Sequence, residues 1–335
     1  MRCKSFAVRL LLTSTAAVLF CAGPAVRAQS KMSDAPASAP SRWAAELERI
    51  DDDLRLRLLT PSDARSNWIR ASLDKTDIQS QVTHFAAART EAPQESLYLA
   101  SLAAACLQPT QPTLPECDQM DRLADWARRD EDNGVPSILL AERARQRREI
   151  DTMVAHLTEA ASKPRFEEYW GRGVLAFWDY LRALPAGYDP AAKAVAAVGY
   201  GTAQQVLWPD AVQAMCVNTR EVAVETVRAA CAELGRALSQ RGSSWTARYI
   251  GVAVEYRNAG DATARARVES TRTNLAAVRA RCNDAMLSRF GGLESADPAV
   301  RARDLTFGDQ WIRAQAQYGE VGACERMYGG GATRP

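Results

Sequence analysis

A set of apolar stripes with helical spacing, each stopped by proline, constrains this chain most. Trp43, Leu47, Ile50, Leu54 and Leu58 step by four, three, four and four, and Pro61 stops the run. That spacing lays five side chains along one face of a helix. Ile150, Met153, Val154, Leu157, Ala160 and Ala161 form a second stripe, closed by Pro164. Phe166, Trp170, Val174, Phe177 and Leu181 form a third, closed by Pro185. Trp245, Tyr249, Val252 and Tyr256 give a fourth, and Leu275, Val278, Cys282 and Met286 a fifth. Asp189-Pro190 and Asp297-Pro298 read as helix starts, with Asp at the cap and Pro at the first helical position. Few segments alternate with the period of two and the β-branched content that strands need. The expected class is all-α, built from short to medium helices stacked as antiparallel hairpins.

The stretch CLQPTQPTLPEC (106–117) shows how such hairpins are held. SLYLASLAAAC reads as helix up to Cys106, and helix resumes at Cys117 with CDQMDRLADWARRD. Prolines 109, 112 and 115 exclude regular structure between them. A bridge between the two cysteines closes the turn and, in the chain-entropy model, is worth ~2–3 kcal/mol. Sequence neighbours suggest two further pairs, Cys216–Cys231 and Cys282–Cys324. The first of these needs an irregular segment through about Thr219–Glu225, because a continuous helix at 1.5 Å per residue would carry Cys231 out of reach.

Disulfides presuppose export, and the N-terminus predicts it. Arg2, Lys4 and Arg9 precede an apolar run from Leu10 to Gly23, and Val26-Arg27-Ala28 has small residues at the positions a signal peptidase reads. Residues 1–28 are therefore expected to be a signal peptide cleaved after Ala28, which removes Cys3 and Cys21. Phe20 is too bulky for Cys21 to be a lipid acceptor. The Ala/Pro/Ser-rich residues 29–41 read as a tether and GGGATRP (329–335) as a flexible tail. Between them lie helical-hairpin regions at 42–186 and 187–328, divided near ALPAGYDP or running on as one solenoid. The whole chain carries +2. Four positive charges and no acid lie in the leader, so the mature chain carries −2. Its arginines are interspersed with acids, which excludes a nucleic-acid footprint or polybasic membrane patch. No later run has the ~20 apolar residues of a transmembrane helix. The expected location is the periplasm or the medium.

NGVPSILLAERARQRREIDTMVAHLTEAASKP (133–164) resembles a tetratricopeptide repeat. Leu140, Ala141 and Ala144 match its first-helix packing positions, and Leu157 and Ala160 its second, with Met153 where a small residue is usual. YIGVAVEYRNAGD (249–261) is similar to a first helix and turn through Tyr249, Val252, Ala253 and Tyr256. The overall style resembles uncharacterised exported helical-repeat proteins of Gram-negative bacteria. The resemblance implies a solenoid that binds a protein or peptide, and no catalytic residues.

Motifs for chemistry are scarce. His84 and His156 read as ordinary helical histidines, and the chain has no HExxH, calcium loop, phosphate loop or GxSxG elbow. No metal or cofactor is expected. The glycines of VGYGTAQ (198–204) read as sites of close helix packing. Asp51-Asp52-Asp53 and Asp130-Glu131-Asp132 read as solvated faces or helix ends. Glu167 and Glu168 stand beside six aromatic residues in RFEEYWGRGVLAFWDYLRAL (165–184), which is how glycan-active sites place an acid in an apolar pocket. Phe166, Trp170 and Phe177 nevertheless belong to a core stripe. Trp170→Ala is then expected to cost ~3–5 kcal/mol, with Glu167 and Glu168 as surface carboxylates dispensable for folding. Tyr169, Gly173, Ala176 and Tyr180 make an adjacent stripe, so Tyr169, Tyr180 and Glu168 are the candidate binding surface. The resulting expectation is a non-catalytic binder of a periplasmic protein or peptide. The alternatives are an envelope-glycan enzyme using Glu167 or Glu168 as acid, and a periplasmic immunity or inhibitor protein.

Overall fold

The computed structural model describes residues 43–74, 77–107, 114–118, 121–185, 187–202, 208–217 and 225–328. The leader, the tether, the tail and nearly all of the expected irregular segment at 219–225 lie outside these residues. The described residues contain no strand. They form α1 (Ala44–Arg57), α2 (Ala64–Leu73), α3 (Ile78–Glu91), α4 (Ser96–Cys106), a short α5 (Pro115–Asp118), α6 (Arg122–Arg129), α7 (Gly134–Gln146) and α8 (Ile150–Ser162). These are followed by α9 (Trp170–Arg182), α10 (Pro190–Thr202), α11 (Trp208–Cys216), α12 (Glu225–Arg241), α13 (Trp245–Asn258), α14 (Ala262–Phe290) and α15 (Pro298–Tyr328). No helix among the described residues is long and apolar enough to cross a membrane.

Neighbouring helices pack in pairs: α2 with α3, α7 with α8, α9 with α10, α12 with α13. The stripes explain the pairing. Ile50 and Leu54 on α1 and Leu58 at its C-cap are fully buried, as are Met153, Leu157 and Ala160 on α8. Caps fix where the helices begin. Asp63 accepts from the Ser66 amide at 2.7 Å to start α2, and Asp189 and Asp297 each accept from the amide two residues on at 2.8 Å. Disulfides join Cys106 to Cys117, Cys216 to Cys231 and Cys282 to Cys324, the pairing that sequence neighbourhood suggested.

One core runs from Ile50 to Val254, with Ile312 of α15 added, and takes in Leu184 and Ala192 on either side of the 185–190 stretch. The buried ammonium of Lys193 ties that turn down, donating to the Leu184 carbonyl at 2.7 Å and the Pro185 carbonyl at 3.2 Å. In VGYGTAQ, Gly201 is a close-packing glycine, since a Cβ there would lie 2.3 Å from Val174 Cγ2. Gly199 faces open space.

A second, smaller core joins α13, α14 and α15 through Trp245, Val252, Val268, Leu275, Cys282, Trp311, Val321 and Cys324. It exists because α15 reverses at Gly319, whose φ of 72° and ψ of 172° suit glycine. The Phe307 and Tyr328 rings are 6.2 Å apart, whereas 21 residues of straight helix would separate them by about 32 Å. The returning limb, 320–328, is held to α14 by Cys282–Cys324.

The third stripe departs from expectation. Helix begins at Trp170, not at Phe166, and residues 163–169 form a non-helical segment between α8 and α9, with isolated bridges at Arg165 and Phe166. Pro164 has no amide to donate. The backbone groups that follow are satisfied by other elements: the Gly134 amide donates to the Arg165 carbonyl at 2.9 Å, and the Ser243 amide to the Phe166 carbonyl at 3.1 Å. Trp170 is accordingly half-buried at the first helical position, while Phe166, Val174 and Phe177 are fully buried. The expected cost of Trp170→Ala falls to ~1–2 kcal/mol, the lower range for a partly exposed side chain. A urea-denaturation difference above ~3 kcal/mol would contradict the half-buried placement.

Candidate functional site

Three of the sequence-predicted site residues, Glu167, Glu168 and Tyr169, lie on the non-helical segment before α9, and Tyr180 lies ten residues on in that helix. Asn133, itself buried, reads the segment like a strand partner. Its Oδ1 accepts from the Glu167 amide at 2.9 Å and its Nδ2 donates to the Glu167 carbonyl at 2.8 Å. Asp130 is the hub beneath. Its carboxylate accepts from Trp126 Nε1 at 3.2 Å, Asn133 Nδ2 at 2.8 Å, the Arg165 guanidinium and the Tyr169 hydroxyl. Asp130 is only 5% exposed, which corrects its reading as part of a solvated acidic run. Only tertiary structure could show this, because two of its four donors, Arg165 and Tyr169, lie 35 and 39 positions away.

Tyr169 is 1% exposed, so it does not wall an open groove, whereas Tyr180 and Glu168 of the same candidate surface are part-exposed. Tyr169 has a φ of 60°, a left-handed conformation that costs a bulky residue about 1–2 kcal/mol. Its hydroxyl bond to Asp130 and its amide bond to Glu167 Oε1 at 2.7 Å hold it there. Burial and the Asp130 carboxylate push its phenol up to about 12. Tyr180 is half-buried against the main core.

Glu167 and Glu168 are also corrected. Each keeps one edge on solvent, yet protein surrounds most of each carboxylate. Loss of water pushes Glu167 to about 7, helped by Glu168 and opposed by the Tyr169 amide and by Arg172 and Arg165. Glu168 is likewise raised by burial, against hydrogen bonds from the Ser244 hydroxyl and from Trp208 Nε1 at 2.8 Å. Ser244 bridges two elements, since its oxygen also caps α13 by accepting from the Ala247 amide at 3.0 Å. A third carboxylate, which sequence reasoning missed, stands nearby. Glu320, just past the reversal of α15, accepts from the Trp245 amide at 3.1 Å. Burial lifts it to about 7 despite Arg279, and Glu168 adds to the rise.

The α15 limb 298–318 is bonded to α9. Asp309 accepts from Trp178 Nε1 at 2.7 Å, Arg182 at 3.0 Å and Arg313 at 2.9 Å. Burial would raise Asp309, but these donors hold it below the usual carboxylate range. The arrangement joins α6–α9 to α12, α13 and α15 through protonatable carboxylates. His84 bonds Asn67 at 3.0 Å and His156 faces Glu159 at 3.3 Å. Among the described residues no three metal-binding side chains converge.

One open cavity of about 440 Å³ lies elsewhere, between the end of α14 and the two limbs of α15. It is lined by Arg289, Arg303, Thr306, Phe307, Met327 and Tyr328, with Gln310 beside them. Its residues are scattered over 40 positions and share no motif, so no sequence signal marked them.

No protein-family model, no curated protein and no solved structure matches the chain.

Proposed function

We propose that this chain is an exported, non-catalytic binding protein: a tetratricopeptide-like stack of helical hairpins, stapled by disulfides, that engages a protein or peptide in the periplasm. The observation that carries the reading concerns the two residues a glycan-cleaving acid would come from. Glu168 accepts from Trp208 and Ser244, and Glu167 from the Tyr169 amide, so both carboxylates close the fold. A hydrolytic acid instead points at the leaving oxygen, with its partner carboxylate across the scissile bond. Three stapled pairs and the absence of a membrane-length helix among the described residues accord with an extracytoplasmic location. An immunity or inhibitor protein is one form of such a binder.

The glycan-enzyme alternative draws support from one fact: Glu167 is held at about 7, where a general acid is effective. A turnover assay on purified envelope glycan separates the readings. The mature chain is expected to release no fragments, and crosslinking in envelope extract is expected to trap the same partner with wild type, Glu167→Gln and Glu168→Gln. Fragment release by wild type that vanishes in either variant would replace the binder with the enzyme.

A further inference from the structure

We infer that the cavity between α14 and α15 is a binding site for a small amphipathic carboxylate, an acyl or aryl body ending in one anionic group. The inference is independent of the binder reading, because it uses none of the same residues. Phe307, Met327 and Tyr328 supply an apolar lining, and the Tyr328 ring lies 6.2 Å from Phe307 and 6.0 Å from Trp311. Arg289 and Arg303 stand at the same cavity, and no carboxylate lines it among the described residues. Arg303 spends its Nε on Asp304 at 2.9 Å, which leaves its terminal nitrogens available, and Arg289 has no ion-pair partner among the described residues. The Tyr328 hydroxyl is buried without a hydrogen-bond partner. Such a group costs about 1–3 kcal/mol until a partner arrives, and a ligand oxygen would provide one.

Charge beyond the cavity favours the same ligand. The mature chain is slightly acidic, but α14 carries six arginines (265, 267, 272, 279, 281, 289) against Glu269 and Asp284. A locally positive field of this kind concentrates anions at the protein surface. About 440 Å³ falls within the size range of small-ligand sites and suits a body of ten or so heavy atoms.

Helix C-termini favour cations, so Arg289, in the last turn of α14, has a rival role as an end cap, and Arg303 has one as the ion-pair partner of Asp304. The test separates the two. Titration calorimetry on the mature, disulfide-intact protein would use decanoate, decanol and decyltrimethylammonium, each below its micelle concentration. Decanoate is expected to bind saturably at one site with a Kd below about 1 mM, the other two at least about tenfold more weakly. In Arg289→Gln, decanoate binding is expected to weaken at least about tenfold while the melting temperature holds. Adding Arg303→Gln is expected to weaken binding further and to lower the melting temperature, because buried Asp304 loses its ion pair. Tyr328→Phe is expected to weaken it less, because it removes only the hydroxyl. Equal binding of the cationic amphiphile, unchanged decanoate affinity in the double arginine variant, or no saturable binding would overturn the site. A lower melting temperature with unchanged affinity would assign the arginines to structural roles alone, Arg289 as a helix cap and Arg303 as the partner of Asp304.

Discussion

Asp130→Ala is expected to lower stability by ~3–5 kcal/mol, a large share of a domain's margin. The side chain is small, so the cavity it leaves is minor. The cost comes from what it abandons. Trp126 Nε1, Asn133 Nδ2 and the Tyr169 hydroxyl would lose their acceptor inside the protein, and Arg165 its counter-charge. Asn133 would then hold the Glu167 backbone less firmly, and only the Tyr169 amide bond to Glu167 would be left to offset the left-handed backbone of Tyr169. Asp130→Asn keeps the volume but turns one acceptor into a donor among donors, so ~2–3 kcal/mol is expected. Tyr169→Phe removes one bond and is expected to cost ~1–2 kcal/mol. Urea denaturation of the three variants, and of Asp130→Ala/Tyr169→Phe, measures this. A strongly sub-additive double variant supports one network. An Asp130→Ala effect within ~0.5 kcal/mol of zero would mean that the carboxylate faces water after all.

The second large effect is on pH. Glu167 and Glu320 have folded values of about 7 against an ordinary 4.5. Between those values the folded chain holds protons that the unfolded chain has released. Stability then falls as pH rises, since the slope follows protons bound unfolded minus folded. The contribution is full below about 4.5 and is lost through about 7, by up to ~3 kcal/mol for each carboxylate. Glu168 shifts in the same direction. Asp309 and Asp121, held low by arginine partners, act oppositely: their stabilisation is present above the ordinary carboxylate range and is lost in acid. Maximum stability is therefore expected on the acidic side of neutrality. Glu320→Gln keeps an oxygen for the Trp245 amide and cannot ionise. It is expected to raise the melting temperature at pH 8, leave it unchanged near pH 5, and flatten the slope between. Melts from pH 4.5 to 8.5 decide the matter. A flat wild-type profile, or a glutamine variant less stable at pH 8, would place Glu320 in water.

The prediction of an all-α class, the helix starts at Asp189-Pro190 and Asp297-Pro298, and the three disulfide pairs came from the chain alone. These features are local. Helical periodicity, proline stops and cysteines separated by 11, 15 and 42 positions leave their mark in consecutive residues. The same reading put helix across residues 165–169, because Phe166 and Trp170 are four apart and both apolar. What decides that segment is the identity of its hydrogen-bond partners, Asn133, Gly134 and Ser243, 30 to 80 positions away. Tertiary structure likewise turned two apparent surface features inward. Asp130 reads as one acid in a charge run, and Glu167-Glu168 as exposed carboxylates, until donors from other elements surround them. Glu320 carried no signal, since its neighbours are set by the reversal at Gly319, and a glycine in a helical stretch does not reveal whether it adopts φ of 72°. Burial of a charge depends on what packs over it, and that is a property of the whole chain rather than of any window along it.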